Sequence, residues 1–495
     1  MMRRLEHIDT DILDKQIEEA IYSEYRLKYH LEPVVGCMGA PCGFFYINGL
    51  YHLFYEWKPS INEDSVTYLY HVTSEDLVEF HNEGIKVRPD NLYDNHNIYG
   101  GSLAVVDDVL MLFYTGEQEK KGEYHTYQLA GIMDTDFKIK KLPAPVVRNI
   151  HPNYNKYFRN PYVFTENDEV NILLGTMNES EFGRAVMYRG KDLESLALLG
   201  EINTGYDMFG YFFEAPELFQ LDEVEVLIIN PRGLDKYKNN FWNVYQSGYM
   251  INDFEYRSLF VDHDNFYEFD NGFDFYRPVT TLDKDNNRVL IASMAAHESE
   301  YPTEKNGFKN ALTLPRVLNV VEDRIIQTPH PNLKKLRGEE ITALGYFDQH
   351  PKRIMDFYGE QYELNIEIKE HTAEEILFVL RKSRREETLI KYNAKEQTVI
   401  LDRTFSGEYI SEVDGTTRTV ELLKPLQNLR IYMDKTSIEI FLNNGEHTMT
   451  ARIFPSEDAT GVEFMTEHGD CLVEMAYYSL KNIYDSRVFS NRKKL

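Results

Sequence analysis

The chain is short of tryptophan, cysteine and cations. Only two of its 495 residues are Trp (Trp57 and Trp242), against 35 Tyr and 29 Phe. Its aromatic packing is therefore built almost wholly from Tyr and Phe. Three cysteines, Cys37, Cys42 and Cys471, cannot make a disulfide framework in a chain this long, which points to a reducing compartment. No stretch approaches 18 consecutive apolar residues, so no membrane-spanning helix is expected. Lys and Arg number 53 against 81 Asp and Glu, a formal charge of −28. That balance argues against nucleic-acid binding through a basic field and supplies no polybasic contact for a membrane surface. The opening segment, "MMRRLEHIDTDILDKQIEEAIYSEY", is full of acids and has no apolar core of signal-peptide length. The expectation is a cytoplasmic protein.

What is present describes an ordinary folded chain, with 42% hydrophobic and 27% charged residues and length for more than one domain. Asp9 to Tyr25 reads as one helix, capped by Asp9 or Thr10, with Ile12, Ile17, Ala20 and Ile21 near helical spacing. After it come short alternating runs rich in Tyr, Phe, Val and Ile, such as "GFFYINGLYHLFYEW", "EVNILLGTM" and "EVEVLIIN". Gly, Asn and Asp turns separate them, as in a propeller, barrel or sandwich. Proline and charge mark a boundary near residues 330–345. Beyond it, evenly spaced strands predict a separate β-sandwich, and Asn444-Gly445 predicts a type I′ hairpin. The expected organisation is an N-terminal helix over 1–28, a first β domain over 29–335 and a sandwich over 346–490.

One turn is chemically blank. "CMGAPCG", from Cys37 to Gly43, has the Gly/Pro layout of a turn that presents something at the mouth of a sheet, yet it presents Ala40. The only reactive groups nearby are Cys37 and Cys42. With no His or Lys close by in sequence to lower a thiol pKa, these read as small hydrophobes and not as nucleophiles. They also lack the further N or S ligands of a metal site.

In order along the chain, "CMGAPCG" followed by "YHLFYEW", "YGGS" (Tyr99 to Ser102), "FRNPYVF" (Phe158 to Phe164), "FEAPELF" (Phe213 to Phe219), "YEFDNGFDFYRP", "YPTEKNGFKNALTLPR" and "LRIYMDKTSIEIFLNNGE" resemble glycoside hydrolase family 32. That family holds the invertases, fructanases and sucrose-6-phosphate hydrolases. The resemblance implies an all-β chain: a five-bladed β-propeller followed by a C-terminal β-sandwich, with the site in the propeller's axial funnel. It also implies a small-molecule carbohydrate as ligand, with no cofactor and no metal; oligomeric state stays open.

Retaining glycoside hydrolysis uses two carboxyl groups, a nucleophile and an acid/base, about 5–5.5 Å apart. By the resemblance the nucleophile falls on Ala40, the transition-state-stabilising Asp on Asn160, and the acid/base on Glu214. Arg159 precedes Asn160 as the family pattern has it. Other departures surround these positions. The first block's Trp and two Asn become Cys37, Gly39 and Cys42, its following Gln becomes Glu56, and the second block's Ser becomes Gly100. Phe213 and Ala215 replace the Trp and Cys that flank the acid/base. Two readings follow. In one, the protein is a sugar-binding relative without β-fructofuranosidase activity, lined by Arg159, Asn160, Glu56, Tyr99 and Asp64. In the other, Glu214 acts as a general acid with altered partners, and Glu56 or Asp64 returns the missing charge. Arg159 either takes a sugar hydroxyl, phosphate or carboxylate, or braces Glu214 or Asn160.

Overall fold

The computed structural model of the protein describes residues 4–61, 65–148, 151–154, 157–295, 299–410 and 415–484. Asp64 lies outside the described residues. The first helix spans Thr10–Ile21, with the Asp9 carboxylate accepting from the backbone N–H of Asp11 at 2.9 Å. It stops four residues short of the expected end. Arg26, buried, turns back and donates its Nε to the Ala20 carbonyl at 2.9 Å, while the Ser23 hydroxyl accepts from the Tyr25 N–H. Side chains therefore satisfy the last turn that further helix would have satisfied.

Five sheets, each built on four antiparallel strands, follow as a propeller. Their first strands are Gly36–Ile47, the broken pair Asn97–Tyr99 and Leu103–Val106, Arg159–Glu166, Phe212–Leu221 and Tyr276–Leu282. These first strands touch one another in sequence, and the fifth touches the first, so they line the axis. The ring is locked where Phe308–Lys309, from the last unit, pairs in parallel with the start of Gly36–Ile47. Apolar clusters fill the space between blades, for example Leu173, Met187, Phe213, Leu227 and Met250 between the third and fourth. Radial repetition leaves only short outer edge strands, such as Ile139–Lys141 and Phe260–Asp262.

The inner strands share a local distortion. Pairing with the second strand slips between Met38 and Pro41, between Arg159 and Tyr162, between Glu214 and Glu217, and between Tyr276 and Val279. Each slip is a β-bulge ending in an X-Pro pair: Ala40-Pro41, Asn160-Pro161, Ala215-Pro216 and Arg277-Pro278. Proline cannot donate to the ladder, so it belongs at such irregularities. Asn160, Ala215 and Arg277 sit at φ of 61°, 42° and 48°, and the bulges re-aim side chains toward the axis.

The sandwich packs two six-stranded sheets around one apolar core. Its first strand, Arg337–Phe347, starts ahead of the expected 346. The hairpin at Asn444-Gly445 is not a two-residue type I′ turn. Leu442 pairs with His447, leaving a four-residue loop with Asn443, Asn444 and Gly445 all at positive φ. Its shape is set by packing: a Cβ on Gly445 would stand 1.9 Å from the Gln327 carbonyl oxygen of the last propeller strand. Among the described residues no helix is long and apolar enough to cross a membrane.

Candidate active site in the propeller funnel

The bulges bring Glu214, Arg159 and Arg277 together, and the end of the neighbouring strand Val224–Arg232 adds a third guanidinium. Glu214 is 2% exposed. Its Oε1 accepts from Arg159 Nη2 at 2.8 Å, and its Oε2 accepts from Arg232 Nε at 3.0 Å, from Arg232 Nη2 and from the Tyr276 hydroxyl. Arg277 Nη1 lies 3.8 Å from Oε1. Burial alone would raise the Glu214 carboxyl. The charges of Arg159, Arg277 and Arg232, with the Tyr276 hydroxyl bond, reverse that and hold it well below the usual carboxylate range. Aromatic rings orient the cations. Arg159 lies between Tyr99 (4.7 Å) and Phe212 (5.1 Å), and Arg232 lies over Tyr245 at 4.3 Å. The Asn230 amide donates to the Glu214 carbonyl at 2.8 Å and pins the bulge that carries the acid.

Ala40 is buried in the first bulge and offers only its methyl group. Opposite that bulge stands Glu56. Its Oε1 accepts from the Gly100 N–H at 2.9 Å and from both Nη atoms of Arg277 at 3.2 Å. Arg277 is thus shared by Glu56 and Glu214. Asn160 is buried too. Its Nδ2 donates to the Gly100 carbonyl at 2.8 Å, its backbone N–H donates to Thr115 Oγ1, and its Oδ1 has no partner. An Asp at this position would set a carboxylate oxygen against the Gly100 carbonyl.

The small residues around these groups interlock. A Cβ on Gly39 would stand 2.8 Å from Glu56 Cβ, and one on Gly100 would stand 2.5 Å from Cys42 Sγ. Glu56 thus occupies space cleared at position 39, and Cys42 occupies space cleared at position 100. Burial pushes both the Cys37 and the Cys42 thiols up, away from thiolate character.

Of the residues singled out in the sequence, Ala40, Glu56, Tyr99, Arg159, Asn160 and Glu214 come together on the inner strands and their neighbours. Arg159 braces Glu214 and not Asn160. Tyr99 lies beneath Arg159 and donates to Glu117 at 3.3 Å. Arg232, Arg277, Tyr276 and Asn230 were not foreseen. The recurrence of X-Pro at the bulges points to position 277 once Ala40-Pro41, Asn160-Pro161 and Ala215-Pro216 are aligned. No comparable local signal points to Arg232, which ends the strand Val224–Arg232.

Comparison with known proteins agrees with this architecture over nearly the whole chain. Residues 30–329 match the glycosyl hydrolases family 32 N-terminal domain, and residues 332–480 match the family's C-terminal domain. A sucrose-6-phosphate hydrolase of Staphylococcus xylosus is 36% identical over 481 residues, covering 97% of each chain. One from Bacillus subtilis is 33% identical, covering 87% of this chain and 89% of its own. The solved structure of sucrose-6-phosphate hydrolase from Lactobacillus gasseri superposes with a TM-score of 0.90 at 27% identity, covering 97% of this chain and 98% of that one. A β-fructofuranosidase of Bombyx mori superposes with a TM-score of 0.81 at 25% identity, covering 95% and 98%. The chain belongs to glycosyl hydrolase family 32.

Proposed function

We propose that this protein binds a sugar or sugar derivative in its axial funnel and lacks ordinary β-fructofuranosidase activity. The observation that carries the reading is the state of Glu214. A general acid must hold a proton at the working pH, and here both Glu214 oxygens are taken by Arg159, Arg232 and the Tyr276 hydroxyl, with Arg277 3.8 Å away, a setting that favours the ionised form. Position 40 offers a methyl group where the retaining mechanism needs a second carboxylate. Losing the nucleophile from a cooperating set costs about 10⁴–10⁶ in rate.

A second reading, an active glycosidase of altered mechanism, is favoured by Glu56. Arg277 Nη1 lies 3.2 Å from Glu56 Oε1 and 3.8 Å from Glu214 Oε1, so the two oxygens are within about 7 Å of each other. That falls within the reach of paired catalytic carboxylates, roughly 5–9.5 Å. Against it, Arg277 stands between them, hydrogen-bonded to Glu56 and 3.8 Å from Glu214.

The relatives' names put sucrose and sucrose 6-phosphate first among the sugars to test. Wild type, Glu214→Gln and Glu56→Gln are assayed side by side on these two, short fructans and nitrophenyl glycosides, with binding followed by calorimetry. The expected result is binding without release of product in all three. Turnover in the wild type that vanishes in Glu214→Gln would overturn the proposal. Loss in Glu56→Gln as well would establish the second reading.

A further inference from the structure

We infer that the funnel selects a sugar carrying a single carboxylate, a sugar acid, and that Arg159 and Arg232 receive that carboxylate. The inference rests on the sugar-binding reading above and adds the ligand's charge.

The directly paired groups are three guanidiniums, Arg159, Arg232 and Arg277, and two carboxylates, Glu56 and Glu214. The directly paired groups carry one net positive charge, and Glu117, which accepts from Tyr99, is paired with His96. Acidic residues at positions 40 and 160 would have made the set negative. With Ala40 and Asn160 the field over the funnel floor is reversed in sign. A cavity with low-dielectric walls concentrates that field on an entering anion.

Two of the arginines keep an accessible edge while bound to Glu214. Arg277 is 7% exposed and spent on two acids, whereas the side chains of Arg159 and Arg232 are 13% and 18% exposed and flank Glu214 on opposite oxygens. Both lie against Phe212, so their planes are set before a ligand arrives, and a guanidinium fork matches a carboxylate. Unpartnered buried polar atoms gather here as well: Arg159 Nε, Arg277 Nε, Asn160 Oδ1 and Asn230 Oδ1. Buried polar atoms without partners are uncommon and call for a ligand or ordered water. The charge balance chooses among anions. A carboxylate neutralises a net charge of one, whereas a phosphate monoester, at about −1.5 to −2, leaves the site negative.

The experiment is calorimetry and thermal denaturation of the full chain with glucuronate, galacturonate and gluconate, with the matching neutral sugars, and with glucose 6-phosphate and sucrose 6-phosphate. The sugar acids are expected to bind and raise Tm, tenfold or more tighter than their neutral parents, weakening as salt rises. Arg232→Gln should abolish the difference. Because that variant risks misfolding, Glu56→Gln supplies the opposite sign: it removes a competing negative charge and should tighten sugar-acid binding several-fold relative to the matching neutral sugars measured on the same variant. Neutral sugars binding as tightly as the acids would overturn the inference and leave the sugar-binding reading intact. Preference for the phosphorylated sugars would overturn it in favour of a dianion. Binding of none of these would overturn both.

Discussion

Asn160 is held in the funnel through its side-chain nitrogen. Its amide N–H donates to the Gly100 carbonyl, a bond that a carboxylate turns into a repulsion. Asn160→Asp is therefore expected to destabilise the protein by about 1–3 kcal/mol, read as a shift in the urea midpoint. Ala40→Asp combined with Asn160→Asp restores both family carboxylates, yet sucrose turnover should remain undetectable, since Arg277 and Glu56 still occupy the floor. Sucrose hydrolysis by that double variant would show that two carboxylates were all the site lacked. The glycines reinforce the point. Gly100→Ala drives a methyl group to within 2.5 Å of Cys42 Sγ, and overpacking of this kind costs about 1–3 kcal/mol. Coordinated clearing at positions 39 and 100, filled by Glu56 and Cys42, is a packing solution in its own right.

The bulged inner strand is the element that makes the funnel functional. Without a bulge, side chains alternate between the blade's two faces. With one, Arg159, Glu214 and Arg277 are all swung toward the axis from strands that otherwise pack as ordinary sheet. The cost lies in the backbone. Ala215 holds φ of 42°, a left-handed conformation that costs a residue with a Cβ about 1–2 kcal/mol. Ala215→Gly should raise stability by about 1 kcal/mol, measurable by chemical denaturation, with the Glu214 ion pairs unchanged. A drop in stability would mean that the Ala215 methyl packs usefully enough to outweigh the strain. The blades were legible as alternating runs. The bulges were legible only as isolated prolines, whose shared place in the fold emerges when the five inner strands lie side by side.

At the scale of the whole molecule, propeller and sandwich are joined by buried charge. His30 Nδ1 lies 2.8 Å from Asp434 and its Nε2 lies 3.1 Å from Glu439, while Arg316 pairs with Glu439 and Asp270. Burial lowers the His30 imidazole, but hydrogen bonds and charge from Asp434 and Glu439 prevail and raise it to about 9. A raised folded value means that the His30 contribution is full below its ordinary pKa near 6.5 and is lost as pH climbs through 9. Against their burial, Asp434 is lowered by that same imidazole, and Glu439 is lowered by Arg316 first and then by the imidazole. Their contribution is present above about pH 4–5 and is lost on acidification. Denaturation midpoints should therefore be highest near pH 5–6.5 and fall by on the order of 2–3 kcal/mol toward pH 9. His30→Gln should flatten the alkaline limb. An alkaline limb unchanged in that variant would assign the loss to another group.

The sequence by itself determined the all-β class, a first β domain ahead of a sandwich, and the absence of carboxylates at positions 40 and 160. Each of these is written in local alternation or in a single residue type. Only the tertiary structure decided which groups meet at the axis. Glu214 meets Arg159 across 55 residues and Tyr276 across 62, each from a different blade, and the shared Arg277 reaches Glu56 across 221. Separations of that kind follow from ring closure and from the bulges that turn each strand inward, and neither leaves a periodic trace in the chain. Whether an arginine braces a neighbour or waits for a ligand depends on which carboxylate the ring sets beside it.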